Sequence, residues 1–326
     1  MELLRPAYRR IRRGQRRLSA RLRGVLDPRP RVFVLIYHRV LPDISFNPHA
    51  TKVSVEAFRR QLSYVKGQFP VISLGDLVSQ LKTRALRAPV QVVITFDDGY
   101  RDNCDYALPL LRAFDLTAAF FLATKYIGRE HPIWDYEIAL RVLVASRGLS
   151  EVDLPGIGRL AVDAYRSREA WLAEINERMK GVTDMEREEL LGMMHAQAGG
   201  GEIPLADSDC CMTWEQVKTM RASGMEIGAH THSHPSLARI PLAVARDEIA
   251  TSKRLIEDQL GERCAHFAFP FGSANDYDEN LISEVERAGF DSALLNIPGW
   301  NTRESSPFHL RRVIVTEDSD LRALIG

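Results

Sequence analysis

Six consecutive apolar side chains, Val32-Phe33-Val34-Leu35-Ile36-Tyr37, run without polar alternation. A strand with one wet face alternates apolar and polar residues. This run therefore reads as a strand covered on both faces, as in a parallel sheet. Val92-Val93-Ile94 repeats the pattern. Parallel strands need long crossovers, and the intervening sequence has helical character. Ser54 can cap a helix through Phe69, with Phe58, Leu62 and Val65 on one face, and a second helix is predicted over Leu74–Leu81. A helix near Tyr106–Phe114 and a strand at Thr117–Leu122 follow. Further on, Thr213 and Gln216 form a capping-box pattern before a helix to Ala222, and Met225–Ala229 reads as a strand. Helices at Leu242–Leu260 and Glu279–Ala288 end at Gly261 and Gly289, with strands at Phe267–Phe269, Ser292–Leu295 and Val313–Val315. The spacing predicts an α/β fold with a parallel sheet, open or closed into a barrel. Residues 129–210 break the rhythm with helical stretches at Ile138–Ala145, Glu169–Met179 and Glu186–Gln197. They read as a helical insertion in one domain spanning 31–326, preceded by a basic arm at 1–30.

The chain has 326 residues, with 43 Lys+Arg against 43 Asp+Glu. A balanced charge argues against a general nucleic-acid binder. The balance is not local, because the first 26 residues hold nine arginines and one acid, Glu2. This arm has no apolar core of the kind a signal peptide carries, and no stretch of about 18 apolar residues occurs in the chain. The expectation is a cytoplasmic protein. Leu3, Leu4, Tyr8, Ile11, Leu18 and Leu22 are interspersed with the arginines. Two readings stay open for the arm: a basic amphipathic helix in peripheral contact with an anionic membrane, or a solvated tail.

Two motifs follow predicted strands, at the sheet edge where parallel folds build active sites. Thr95-Phe96-Asp97-Asp98-Gly99-Tyr100 places adjacent carboxylates before a glycine turn. In an extended segment neighbours point to opposite sides, so one carboxylate can face a metal and the other a substrate. His230-Thr231-His232-Ser233-His234-Pro235 offers imidazoles four residues apart, on one face if the segment is a helical turn. In an extended segment His232 could replace either. Two histidines and one carboxylate with open coordination positions describe a catalytic rather than a structural metal site. Such an ion activates water, and a spare carboxylate can take the proton.

These motifs resemble those of the polysaccharide deacetylase family, the NodB-homology carbohydrate esterases. Leu35-Ile36-Tyr37-His38-Arg39-Val40, Phe267-Ala268-Phe269-Pro270-Phe271-Gly272 and Leu310-Arg311-Arg312-Val313 extend the resemblance, which covers roughly residues 31–126 and 212–316. The resemblance implies a distorted (β/α) barrel and metal-dependent removal of N- or O-linked acetyl groups from a carbohydrate. By position Asp98, His230 and His234 hold the divalent ion, most often zinc, and Asp97 is the general base. Tyr100 supplies a backbone contact to the acetate oxyanion. Two departures stand out. Ala268 occupies the place of the family's base-orienting arginine, a role Arg312 can fill. No late Leu-x-His segment supplies the general acid, which leaves His309 and His38 as candidates. Trp134 and Trp300 are candidate apolar walls for a sugar, and Phe271 a rim residue. Together with the absence of an export signal, the basic arm suggests a lipid-linked or soluble sugar precursor as substrate. Two other readings keep the fold: a C–N hydrolase of a small cyclic amide, and a non-catalytic carbohydrate-binding relative.

Overall fold

β1 (Arg31–Tyr37) and β4 (Val90–Phe96) pair in parallel along their whole length, from Arg31 opposite Val90 to Tyr37 opposite Phe96. They form the centre of a computed structural model that describes residues 30–142, 151–156, 158–161, 168–197 and 205–325. The basic arm, the Gly199–Gly201 segment and the predicted helical residues 143–145 lie outside the described residues. The other strands of the main sheet are β5 (Ala119–Leu122), β8 (Glu226–Ala229), β9 (His266–Ala268), β10 (Ser292–Leu294) and β11 (Val313–Ile314). The sheet has seven parallel strands in the order β10-β9-β8-β5-β4-β1-β11. It curls, and a parallel bridge between Leu294 and Leu310 connects its two edges, giving a distorted barrel.

Period-2 alternation divides the strand residues between two faces. Val32, Val34, Val93, Ala119, Phe121, Ala268 and Leu294 form one apolar cluster with Leu74, Leu77, Val78 and Leu81. The last four belong to helix α2 (Leu74–Lys82), which follows α1 (Val55–Gln68). The Glu226 carboxylate accepts hydrogen bonds from the Leu74 and Gly75 amides at 2.7 and 2.8 Å, so α2 presents its positive end to an anion. Glu226 begins β8, which places α2 as a plug at the N-terminal end of the barrel. The C-terminal end is left for chemistry. Gly228 lies on the inner face opposite Phe121, and a Cβ there would come within 2.5 Å of the Phe121 ring.

The outer face carries Phe33, Leu35, Ile94, Phe96, Phe120 and Leu122, which pack with Phe58, Leu62 and Val65 of α1. Phe96 stacks on Phe120 with ring centroids 4.7 Å apart. The predicted caps are present. Ser54 Oγ accepts from the Ala57 amide, and Thr213 and Gln216 form a reciprocal capping box. α3 (Leu108–Ala113) follows β4 after a π-helical turn at Asn103–Ala107. Two small pairings escape a pattern-based reading because each strand is very short. β2 (Arg39–Leu41) pairs in parallel with β3 (Lys52–Ser54), and β6 (Glu151–Leu154) forms a hairpin with β7 (Gly158–Ala161). Between β5 and β8 lie α4 (Trp134–Leu140), α5 (Arg168–Met179), α6 (Asp184–Gln197) and α7 (Trp214–Ala222). α8 (Leu242–Leu260), α9 (Glu279–Arg287) and α10 (Leu321–Ile325) complete the order. No helix of the described residues is long and apolar enough to cross a membrane.

Candidate active site

The inner-face alternation that places Val93 and Thr95 in the barrel continues to Asp97, and that of Gly228 continues to His230. At the closing edge Leu310 is followed by Arg312 on the same side. These side chains meet at the C-terminal end of the barrel. Arg312 donates to both Asp97 oxygens, at 2.7 and 2.8 Å, and both residues are almost completely buried. A two-point guanidinium–carboxylate fork fixes orientation as well as charge. Arg312 is further held by its Nε bond to the Leu295 carbonyl. It thus reaches Asp97 from the position just before β11, and takes an orienting role that Ala268 has no donor side chain to fill.

Asp98 and Asp97 do not diverge as an extended segment would require. Asp98 has φ of 80°, in the left-handed region, and the following Gly99 also has φ of 80°. This turn swings the Asp98 carboxylate back toward the histidines. Asp98 Oδ1 lies 3.6 Å from His230 Nε2 and 3.4 Å from His234 Nε2, while Asp97 Oδ2 lies 3.7 Å from His230 Nε2. The histidine segment is a loop, not the helical turn expected from the spacing. Thr231 and His234 both take positive φ, 66° and 60°. The conformation costs about 1–2 kcal/mol at each non-glycine residue, and the hydrogen bonds around the loop hold it. Glu248 of α8 accepts from the His232 and Ser233 amides and from Ser233 Oγ, at 2.8, 2.7 and 2.6 Å. Thr231 Oγ1 accepts from the His234 amide at 3.0 Å. His232 turns to Thr124 Oγ1 at 3.0 Å, which takes it out of competition with the other two imidazoles.

The donor set suits a divalent ion. One ligand atom from each of Asp98, His230 and His234 lies within 4.8 Å of the others. Tetrahedral ligands about 2.0–2.1 Å from zinc sit about 3.3–3.4 Å apart, close to the observed spacings. His230 Nδ1 donates to the Ala268 carbonyl at 2.7 Å, so its Nε2 lone pair faces Asp98. Burial pushes the His230 pKa down to about 4 and keeps the imidazole neutral. Burial opposes charge on His234 too, but its hydrogen bond to Asp98 outweighs this and raises its pKa. Burial would raise both carboxylates. Instead Arg312 and His230 hold Asp97 below its ordinary range, and the imidazoles, with His38, do the same for Asp98.

The remaining predicted residues distribute unevenly. The Tyr100 ring is buried against the Arg39 guanidinium, 4.3 Å from its centroid, so the side chain is not a sugar contact. Its backbone is different. The Arg101 amide donates to the Cys210 carbonyl and the Met212 amide to Gly99, so Tyr100 and Cys211 form a non-hydrogen-bonded antiparallel pair. The Tyr100 N–H is thereby left out of that pairing. Trp134 is 1% exposed and donates from Nε1 to the His234 carbonyl at 2.9 Å. It lies behind the histidine loop and is no wall for a sugar. Trp300 packs on Phe33 and Arg31 near the start of β1, away from the C-terminal end. Phe271 remains at the rim, half-buried, with its ring 5.0 Å from that of His234. His309 is bonded to Glu279 in the first turn of α9 at 3.0 Å, so its expected place beside the reacting group is not met. His38, at the end of β1, is near enough for its charge to bear on both Asp97 and Asp98.

Several supporting residues carry no motif signal. Asp102 accepts from the Val40 amide and from Arg39 Nε, each at 2.8 Å, and ties the Asp-Asp-Gly turn to the segment after β1. The buried Arg187 donates to the Ser233 carbonyl. A charged residue on an otherwise apolar helix face is the one hint the sequence offers for it.

The parallel curled sheet with a carboxylate–imidazole cluster at its C-terminal end defines a NodB-type distorted (β/α) barrel. The sequence profile of the polysaccharide deacetylase family matches residues 87–293, and the chain belongs to that family. YxkH of Bacillus subtilis (strain 168), provisionally described as a polysaccharide deacetylase, is 21% identical over 225 residues. That match covers 69% of this chain and 51% of YxkH, so the chain spans about half the length of this relative. Among solved structures, the Streptococcus pyogenes deacetylase PplD in complex with acetate superposes with a TM-score of 0.60 at 18% identity, covering 91% of this chain and 99% of that one. IcaB from Ammonifex degensii gives 0.58 at 20% identity, covering 89% and 93%. At these identities the likeness shows the fold.

Proposed function

We propose that the protein is a metal-dependent hydrolase that removes an acetyl group, N- or O-linked, from a carbohydrate. The observation that carries this reading is the Asp97 carboxylate, locked by Arg312 beside an Asp98–His230–His234 cluster. Asp98, His230 and His234 are the residues that would hold a divalent ion, most often zinc in such donor sets. When bound, the ion would lower the pKa of a water to about 7 and polarise the acetyl carbonyl.

Asp97 acts as general base. It accepts the proton of the attacking water as the new C–O bond forms at the acetyl carbon. Its depressed pKa keeps it ionised at neutral pH, and Arg312 aims it. The Tyr100 amide is the donor proposed for the developing oxyanion, where an oriented N–H is most effective. Cleavage of the C–N or C–O bond requires a proton on the departing group. His38 is the group we assign to deliver it, because it follows β1 at the point where the Asp97 amide donates to the Tyr37 carbonyl at 3.0 Å. Phe271 forms the rim against which the sugar rests.

The test is acetate release from N- and O-acetylated glycans, lipid-linked acetyl sugars and cyclic amides by zinc-loaded protein. Acetate from a glycan supports the reading. Opening of a cyclic amide without acetate release, or glycan binding without turnover, overturns it. The basic arm supports a substrate at an anionic surface. Loss of liposome sedimentation on deleting residues 1–26 is the expected result, and unchanged binding excludes this role.

A further inference from the structure

His234 differs from His230 in one respect. The remote nitrogen of a ligating histidine ordinarily donates to a carboxylate or carbonyl that fixes the ring. His230 has such a partner in Ala268, but His234 Nδ1 is buried without a hydrogen-bond partner. Its aim must come from its backbone and from packing. That backbone is in a left-handed conformation, φ 60°, and has to be held there.

Arg187 of α6 lies behind the same loop. It is 1% exposed. Its Nη1 donates to the Ser233 carbonyl at 3.1 Å and its Nη2 to the Val182 carbonyl at 2.8 Å. The guanidinium lies over the Trp134 ring, 4.8 Å from the centroid, and Trp134 donates to the adjacent His234 carbonyl. Two consecutive loop carbonyls are thus gripped by two stacked donors. The nearest carboxylate, Asp184, is 3.8 Å from Nη1 and lies closer to Lys125. Burying an arginine without a close ion pair is unfavourable unless its donors are matched, and here backbone carbonyls match two of them. A planar fork can join Val182 and Ser233, whereas a lysine ammonium offers no such planar bridge.

We propose that Arg187 is a positioning residue for the metal-binding face. By clamping the Ser233 carbonyl and stacking on Trp134, it fixes the backbone that aims His234. The segment between β5 and β8 thereby supports the site directly. The inference rests on the metal-dependent reading above.

The test is zinc affinity of the full chain, measured by competition with a chromophoric chelator, alongside the melting temperature. Arg187→Met is expected to weaken zinc binding about 10–100-fold, the usual effect of removing an outer partner of a metal ligand. Arg187→Lys should recover part of that loss. Leu190→Ala truncates the buried face of the same helix and should lower the melting temperature without changing zinc affinity. Wild-type affinity in Arg187→Met, or an equal loss in Leu190→Ala, overturns the proposal. If Arg187→Met does not fold, Arg187→Lys decides: unchanged affinity overturns the clamp, and weakened affinity upholds it. Failure of the wild-type protein to bind zinc defeats the metal reading itself, a result distinct from a variant that binds zinc normally.

Discussion

Replacing Arg312 with Met removes the guanidinium from Asp97 and keeps most of the apolar volume. Asp97 is 2% exposed and Arg312 1%, so water cannot substitute for the lost partner without rearrangement. Breaking a buried ion pair from one side costs about 3–5 kcal/mol. With an unfolding entropy near 2.1 cal/mol/K per residue, a chain of this size loses about 4–7 °C in melting temperature. The sign of the pH dependence follows from the depressed Asp97 pKa. Its stabilisation is present above the unfolded carboxylate value near 3.9 and is lost as pH falls through the lower folded value. The gap between wild type and variant should therefore be full at pH 7 and narrow in acid. Kinetics should move the other way along the pH axis. Without Arg312, burial works against the charged carboxylate, and the acid limb of kcat/KM should move to higher pH. Differential scanning fluorimetry across pH and a pH–rate profile of acetate release measure the two effects. A pH-independent gap together with an unmoved acid limb would refute the assignment of Arg312 as the residue that holds the base.

His234→Ala should lose zinc binding and reduce acetate release by more than about 100-fold, read by metal analysis and turnover on the same sample. His38→Gln should lower kcat by about 10²–10⁴-fold with little change in KM, the range for loss of a general acid. His309→Ala should stay within about twofold of wild type, since that ring pairs with Glu279; the reverse ranking would return the acid role to His309. Gly228→Ala would place a Cβ 2.5 Å from the Phe121 ring and 2.9 Å from the His266 carbonyl, and should destabilise by about 1–3 kcal/mol in denaturant titration.

The strands were legible because burial on both faces writes itself as uninterrupted apolar residues, as in Val32–Tyr37. The long helices were legible through caps such as Ser54 and Thr213. The cluster of Asp98, His230 and His234 could be anticipated because two motifs at strand ends share one edge of a parallel sheet. What joins them was not readable. Left-handed φ at Thr231 and His234 is held by partners distant in sequence such as Glu248, which binds the two amides between them and carries no signal in the motif. A period-3.6 reading of His230 and His234 reached the right proximity by the wrong geometry. Trp134 looked like a sugar wall because sequence does not reveal which face of an aromatic is covered. The same limit hid Arg187, whose partners are backbone carbonyls. His309 and His38 were indistinguishable until the α9 contact removed the first.

The central claim is that metal binding and proton transfer belong to different carboxylates, Asp98 and Asp97. The most direct measurement is zinc stoichiometry and acetate release on one preparation of Asp97→Asn. The account predicts one zinc per chain, as in wild type, with turnover abolished. Retained turnover would show that Asp97 is not the base, and loss of zinc would show that it belongs to the metal-binding face.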